Sequence, residues 1–417
     1  MSRLLVLADD LTGALDTGVQ FALGQADTAV FHQLGEAAFA SAAQVLVINT
    51  GTRNLDACTA YDRVALAARW AKERGFTRVY KKTDSGLRGN TGAELQAVLD
   101  VFGGALAFAP AHPKAGRVVK GGRLYVDGLP VSRSVFARDP YKPVLLDEVA
   151  ALIALQSAVP VIPAAEGKAP PARGVWLFDA LDAAELEHAA RESVRAGCAL
   201  FAGCAGFAEA LMPLLGLERK PAPVPVLAPP LFVVSGSVSE VTFHQLIQAE
   251  AAGWRRMPVE EGLLLAEGLM DSPAGRNLAA EFAARVKAGE RMFAAAALSA
   301  WEAGRVRALG ASLGMDTVQI GENISRNLGA LCALALRELP LATPALIGGD
   351  TLARALDALA AGPIRPLKEI GQGTVLSLAE TALGERCLIS KSGSFGGPDA
   401  IAEMEDFLRD ARPPRAE

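Results

Sequence analysis

The 417-residue chain lacks the features that would place it in a membrane, on nucleic acid or around a metal cluster. No run of about 18 apolar residues is free of charge, the length that a bilayer-crossing helix needs. The N-terminus has no basic segment followed by a long apolar stretch and a cleavage site, so a cytoplasmic protein without a membrane partner is expected. No basic tract is longer than Lys81-Lys82 or Arg255-Arg256, and the formal net charge is −5. Nucleic acid is therefore not an expected partner. The five cysteines (Cys58, Cys198, Cys204, Cys332 and Cys387) form no CxxC pair and read as buried free thiols. The four histidines (His32, His112, His188 and His244) are not spaced closely with them, which argues against structural zinc. Only His112 lies beside other polar candidates, and it reads as a loop or core histidine before a catalytic one.

The sequence is rich in apolar residues, at 51% against 21% charged, the balance of a well-packed α/β protein. Its length exceeds what one core organises, so two domains are expected. The stretch Arg3 to Asp16, RLLVLADDLTGALD, anchors the reading. Leu4 to Ala8 has the continuous apolar character of a parallel strand buried on both faces. It ends in two adjacent carboxylates, Asp9 and Asp10; Thr12-Gly13 then read as a tight turn and helix start, with Ala14-Leu15-Asp16 opening a helix that reads from about Asp16 to Gly24. Adjacent acids repel, so they persist where a cation, a metal or a reacting hydroxyl offsets them. The alternative is that one of them only caps the helix.

Strand-like runs (Thr28 to Phe31, Val45 to Asn49, Val79 to Lys81, Ala105 to Ala111, Val175 to Phe178, Ala199 to Ala205) alternate with helix-like ones. Thr83 to Asn90 reads as a loop too polar for the core, and Thr91 with Glu94 as a capping box behind it. Gly121 to Ser134 has the pattern of a hairpin around Asp127-Gly128. Six prolines between Pro213 and Pro230 mark a linker. The expectation is an α/β protein of two α/β domains with mainly parallel sheets: residues 1–212, a linker over 213–230, and residues 231–417. In the second domain, strands are expected at Leu231 to Val234, Arg291 to Leu298 and Ala345 to Ile347, and helices at Ser239 to Gly253 and Gly321 to Glu338.

Three glycine-bearing turns in the second half each sit between a strand and a helix: Ser235-Gly236-Ser237, Gly348-Gly349-Asp350-Thr351, and Ser392 to Gly397. Glycine lets backbone N–H groups approach a phosphate, and a helix start adds partial positive charge. Three such turns point to a nucleotide or polyphosphate site. None is GxxxxGK[ST] or GxGxxG. Asp350 is a candidate to hold magnesium through water, no other metal ligand being identifiable; Lys391 faces a phosphate or is merely solvated. In the first half Asp9, Asp10, Asp84 and Asn90 supply acceptors, Lys82, Arg88 and Arg117 cations, and Ser85 a hydroxyl. That set suits a small polyhydroxy acid, since a guanidinium takes a carboxylate and carboxylates take hydroxyls. A salt-bridge network between domains is the alternative.

The motifs ADDLTGALD (Ala8 to Asp16), KKTDSGLRGN (Lys81 to Asn90), APAHPKAGR (Ala109 to Arg117), VSGSVSEVTFHQ (Val234 to Gln245), IGGDT (Ile347 to Thr351) and KSGSFGG (Lys391 to Gly397) resemble those of the four-carbon acid sugar kinases, in the same order over nearly the whole chain. The resemblance implies a sugar-acid-binding N-terminal domain, a nucleotide-binding C-terminal domain and an active site in the cleft between them. It also implies ATP contacts at Ser235 or Ser237, Gly348, Gly349, Asp350 and Thr351, and at Gly393, Ser394 and Gly396. Sugar-acid binding is implied for Asp9, Asp10, Lys82, Asp84, Ser85, Arg88 and Arg117. Ser394 stands where members often have glycine or asparagine. The opening DDLTGALD is closer to threonate and erythronate kinases than to 3-oxo-tetronate kinases, which have phenylalanine in place of Leu11.

On this reading ATP and Mg²⁺ serve phosphorylation of D-threonate or D-erythronate at the 4-hydroxyl. Arg88 and Arg117 take the substrate carboxylate, and Asp10, Asp9 or Asp84 accepts the hydroxyl proton. Alternatives are a 3-oxo-tetronate kinase, an aspartyl-phosphate phosphatase, or a sugar-acid-binding protein without turnover. Assembly into a homo-oligomer is left open.

Overall fold

The computed structural model describes residues 3–139, 141–165, 168–220 and 230–410. The chain divides into two compact units, Met1–Ala222 and Pro223–Glu417. Among the described residues no helix is long and apolar enough to cross a membrane. Of the stretch expected as a linker, residues 221–229 lie outside the described residues. Before them, Met212–Leu214 form one 3₁₀ turn, Leu215 is buried, and Arg219 bridges to Ala26.

The first unit contains β1 (Leu4–Ala8), β2 (Thr28–Phe31), β3 (Val45–Asn49), β4 (Arg78–Lys82), β5 (Ala105–Ala109), β6 (Arg117–Lys120), β7 (Arg123–Val126), β8 (Leu129–Pro130), β9 (Val161–Pro163), β10 (Gly174–Leu177) and β11 (Leu200–Gly203). Its main sheet runs β2-β3-β1-β4-β11-β5-β10-β9 with every pairing parallel. Helices cover such a sheet on both faces, so its strands are continuous apolar runs. All of β1 is buried, and Leu4, Leu5, Val6 and Leu7 each contribute about 1.5–3 kcal/mol by leaving water. The chain leaves β1 for β2 and β3 on one side and then crosses to β4 on the other. This places the carboxyl end of β1 at the point where the strand order reverses, the usual ligand crevice of open α/β sheets.

The helix after β1 spans Leu11–Leu23, so Thr12-Gly13 lie in its first turn and it begins ahead of the expected Asp16. Asp10 is its N-cap, accepting from Gly13 N at 3.1 Å and Thr12 Oγ1 at 2.6 Å. The expected hairpin is a three-stranded ribbon, β6-β7-β8, that starts at Arg117. Asp127 and Gly128 turn it with φ of 50° and 81°, the left-handed pair that suits a two-residue hairpin.

The second unit contains β12 (Leu231–Ser235), β13 (Arg255–Met257), β14 (Met292–Ala295), β15 (Thr343–Ile347), β16 (Ile364–Gly371), β17 (Thr374–Thr381) and β18 (Gly384–Lys391). The order is β13-β14-β12-β15-β18-β17-β16, parallel as far as β18 and antiparallel beyond it. Its core packs Leu246 and Trp254 against Phe293, Ile347, Ile389 and Met404. The long helix spans Thr317–Glu338 and starts ahead of Gly321, because Asp316 and Gln319 form a capping box at its N-terminus.

Candidate functional site

Because β3, β1 and β4 are adjacent and in register, the loops at their carboxyl ends meet. Arg53, from the loop after β3, is the centre of the cluster. Its guanidinium grips Asp9 with Nε at 2.7 Å and Nη2 at 3.0 Å, and Nη2 also reaches Asp10 at 2.6 Å and Asp84 at 3.6 Å. Asn90 ties that loop down by donating to the carbonyls of Thr52 and Leu55, both at 2.8 Å.

The loop Thr83 to Asn90, expected to be too polar for the core, is largely buried, because its charges are paired within it. Asp84 accepts from Gly86 N, Arg88 N and two nitrogens of the Arg88 guanidinium. Leu87 adopts φ 59° to wrap the turn around that carboxylate, a strained geometry for a branched side chain that recurs at functional sites. The third Arg88 nitrogen pairs with Asp139 at 3.0 Å. Phe136, buried on Gly86, lies 5.0 Å from the Arg88 guanidinium and 5.6 Å from that of Arg117.

Burial alone would raise the Asp84 pKa, but Arg88 and Arg53 outweigh it and hold the carboxyl well below its usual range. Asp10 is likewise pushed up by burial and pulled down further by Arg53, Lys82 and Thr12, to a net lowering. Burial lowers the Arg53 guanidinium, yet Asp10, Asp9 and Asp84 raise it well above its ordinary value. The cluster is thus three anions around Arg53, with Arg88 a second cation on Asp84 and Lys82 a third positive charge. Lys82 Nζ donates to Thr83 O at 2.8 Å and forms no ion pair with a described residue. A Cβ on Gly13 would stand 2.7 Å from that ammonium and 2.5 Å from Asp10 Oδ1; glycine leaves the gap in which the two face each other.

Glu94 is not a capping residue. Asn90 is the N-cap of the helix Thr91–Phe102, and Glu94 turns inward to a buried ion pair with Lys81 at 2.7 Å, beneath the acid cluster. Lys81 Nζ also donates to Leu7 O and Lys82 O. Arg117 is delivered by the turn that closes through Gly116, φ 72°, with His112 N bonded to Arg117 O. Its ion partner is the exposed Asp127, at 3.9 Å. Burial, with Lys82, Arg117 and Lys114 nearby, lowers His112 to about 4, so it is neutral at pH 7. Of the cysteines, all free, Cys204 and Cys332 are buried as expected, whereas Cys198 and Cys387 are half-buried and Cys58 is exposed.

Arg53 and Asp139 are the site residues that sequence reasoning missed. Arg53 sits in Gly51-Thr52-Arg53-Asn54, which looks like a surface turn, but it follows a strand adjacent to β1, and that position was the available signal. Asp139 offered none.

In the second unit the carboxyl ends of β12, β15 and β18 lie level: Ser235 is in register with Ile347, and Ile347 with Lys391. The three glycine turns therefore converge. A Cβ on Gly236 would run into Thr351 Oγ1, and one on Gly393 into Ser237 Oγ. Gly348 has φ 107°, which side chains rarely adopt. The helix Glu240–Ala251 holds the third turn from one side: Thr242 donates to Gly393 O, and Gln245 Nε2 to the carbonyls of Phe395, Gly396 and Gly397. With the carbonyls taken, the N–H groups of Gly393, Ser394 and Gly396 have no acceptor among the described residues. Ser235 is fully buried, whereas Ser237 is only half-buried. Ser235 Oγ and Gln245 Oε1 here, and Thr83 Oγ1 and Ser85 Oγ in the first unit, are buried without a partner among the described residues. Unmet polar atoms of this kind fit ligand sites.

Comparison with known proteins gives the same division of labour. A sugar-binding N-terminal domain family matches residues 4–211, and a nucleotide-binding C-terminal domain family matches residues 232–401. The chain is 30% identical to a D-threonate kinase of Salmonella typhimurium, covering 98% of this chain and 99% of that one. It is 28% identical to a D-erythronate kinase of Heliobacterium modesticaldum (98% and 97% covered) and 28% identical to a 3-oxo-tetronate kinase of Methylobacterium radiotolerans (96% and 98% covered). A crystal structure of a Haemophilus influenzae protein shares the fold, with a TM-score of 0.70 at 20% identity over 97% of this chain and 100% of that one. On the two domain matches and the full-length relatives, the chain belongs to the family of four-carbon acid sugar kinases.

Proposed function

We propose that the chain transfers the γ-phosphoryl group of ATP to the 4-hydroxyl of D-threonate or D-erythronate. The observation that carries the assignment of roles is the unequal exposure of the three acids. The Asp10 side chain is 17% exposed, against 3% for Asp9 and 5% for Asp84. Asp10 is the carboxylate a substrate hydroxyl can reach; Asp9 and Asp84 orient Arg53 and Arg88. Phosphoryl transfer asks the protein for alignment and charge neutralisation more than for covalent chemistry, and Asp10 holds the hydroxyl and accepts its proton as the bond to phosphorus forms. Because its pKa is lowered, it accepts that proton late, and its contribution falls at the low end of the 10²- to 10⁴-fold range of general-base catalysis.

Arg88 is fully engaged by Asp84 and Asp139, so Lys82 and Arg117 are the cations for the substrate carboxylate, and Arg88 shapes the loop that carries Ser85. The nucleotide is assigned to the converging turns at Ser237, Gly348 to Thr351 and Gly393 to Gly396, whose open N–H groups suit phosphate oxygens. Magnesium would arrive with those phosphates and neutralise charge on them. Among the described residues no three His, Cys, Asp or Glu are grouped to hold a metal, which leaves the exposed Asp350 a contact through water. Relatives named D-threonate and D-erythronate kinases support the choice of acid, as does Leu11 in the opening motif. ADP release tested across D- and L-threonate, D- and L-erythronate and 3-oxo-tetronates checks it. Turnover confined to a 3-oxo-tetronate would replace this substrate, and turnover with none of them would remove the reading.

A further inference from the structure

Lys391 closes β18 directly beneath the third glycine turn. Its side chain is completely buried, and its Nζ donates to Ser392 O at 2.9 Å. Its Cε lies 3.5 Å from the point where a Cβ on Gly396 would be. Ile347 on β15 and Thr374 on β17 flank it in register, and Gln245 of the helix Glu240–Ala251 closes over the same glycine. None of these neighbours carries a charge. A buried ammonium with no counter-ion is among the costliest groups a fold can hold, and it is retained where it serves a ligand.

We propose that Lys391 neutralises nucleotide phosphate charge from beneath the third turn, and that nucleotide binding draws a proton from solvent onto its amine. The inference rests on the functional reading above and adds to it a named residue and a proton. A further observation points to an anion at this spot: the open N–H groups of Gly393, Ser394 and Gly396, which have no acceptor among the described residues. Burial alone lowers the Lys391 pKa, to about 7, with no charged side chain contributing. The amine is therefore mostly neutral above pH 7 in the free protein, and an arriving phosphate, itself fully ionised at pH 8, favours the charged form.

Titration calorimetry of wild type with ADP at pH 8, in two buffers of different ionisation enthalpy, counts the proton. The expected uptake is about 0.9 proton per ADP, the neutral fraction of a group with a pKa near 7. Affinity should fall close to tenfold per pH unit above 7, because the proton becomes scarcer. Lys391→Met should abolish the uptake, flatten the pH dependence and weaken ADP binding roughly tenfold or more at pH 7. If that variant does not fold, the wild-type proton count still decides. Binding of ADP by wild type without proton uptake, or ADP binding by Lys391→Met at wild-type strength, overturns the inference alone. Wild type that binds neither ADP nor ATP overturns the functional reading beneath it.

Discussion

Replacing Gly13 by alanine separates the site from the fold. Gly13 lies in the first turn of the helix Leu11–Leu23, where alanine is favoured over glycine by about 1 kcal/mol. The added methyl would lie 2.5 Å from Asp10 Oδ1 and 2.7 Å from Lys82 Nζ. Both are the ends of side chains, so they can yield. Shifting Asp10 from its capping geometry costs about 1 kcal/mol, and the two terms roughly cancel. Thermal unfolding should move by less than about 4 °C for a unit of this size. The site cannot absorb the change as easily, since Lys82 and Asp10 must part by an ångström or more, and a misplacement of that size costs on the order of 10²-fold in rate. The assay is kcat/KM for the sugar acid by coupled ADP release, with a melt on the same sample. A variant within about twofold of wild-type kcat/KM would refute the placement of Lys82 and Asp10 at the substrate. A loss of folding would refute the claim that only flexible ends stand in the way.

Asp10→Asn should lower kcat by about 10²-fold while KM for ATP changes little; near-normal kcat in steady-state assays would move the base to Asp9 or Asp84. Arg53→Ala leaves three carboxylates without their shared cation. Its 16% exposure places the destabilisation near the lower end for a broken buried pair, about 3 kcal/mol. Asp10 and Asp84 have lowered folded-state pKa values, so their pairing stabilises the protein above the unfolded carboxylate range, near 4, and is lost as pH falls through the folded values. In Arg53→Ala the deficit should hold from pH 7 down to about 4 and shrink below that, as the acids of the wild type take up protons in turn. Urea unfolding at pH 7, at pH 4 and at the lowest pH where the wild type stays folded checks this, and a deficit that does not shrink below pH 4 would contradict it. Glu94→Gln strands the buried Lys81 and should cost about 3–5 kcal/mol, most of it recovered by adding Lys81→Met. Urea unfolding in which the double variant is no more stable than the single would show that the cost lies in packing instead.

Much of the architecture was legible because parallel strands buried on both faces leave short apolar runs such as Leu4 to Ala8 and Leu231 to Val234, and because ligands gather at their carboxyl ends. The three glycine turns were readable for the same reason: each follows one of those runs. What the sequence hid is pairing across distance. Nothing in Gly51 to Asn54 announces that Arg53 will hold acids more than 40 positions before it in the chain and about 30 after it. Glu94 sat at a spacing that suits a cap, but a buried lysine 13 positions earlier claimed it. Lys391 resembled an ordinary solvated strand end, because burial of a charge is decided by the helix and turn that close over it. Asp10 satisfies both readings open to it, capping a helix and facing the site, since one oxygen bonds Gly13 N and Arg53 while the other takes the Thr12 hydroxyl.

The central claim, that this chain uses ATP to phosphorylate a four-carbon sugar acid, is tested most directly by ³¹P NMR of wild type incubated with ATP, Mg²⁺ and each acid in turn. The account predicts loss of the γ-phosphate signal and growth of a primary phosphomonoester with D-threonate or D-erythronate. ATP left intact with every acid, or hydrolysed to inorganic phosphate without a sugar phosphate, would contradict it.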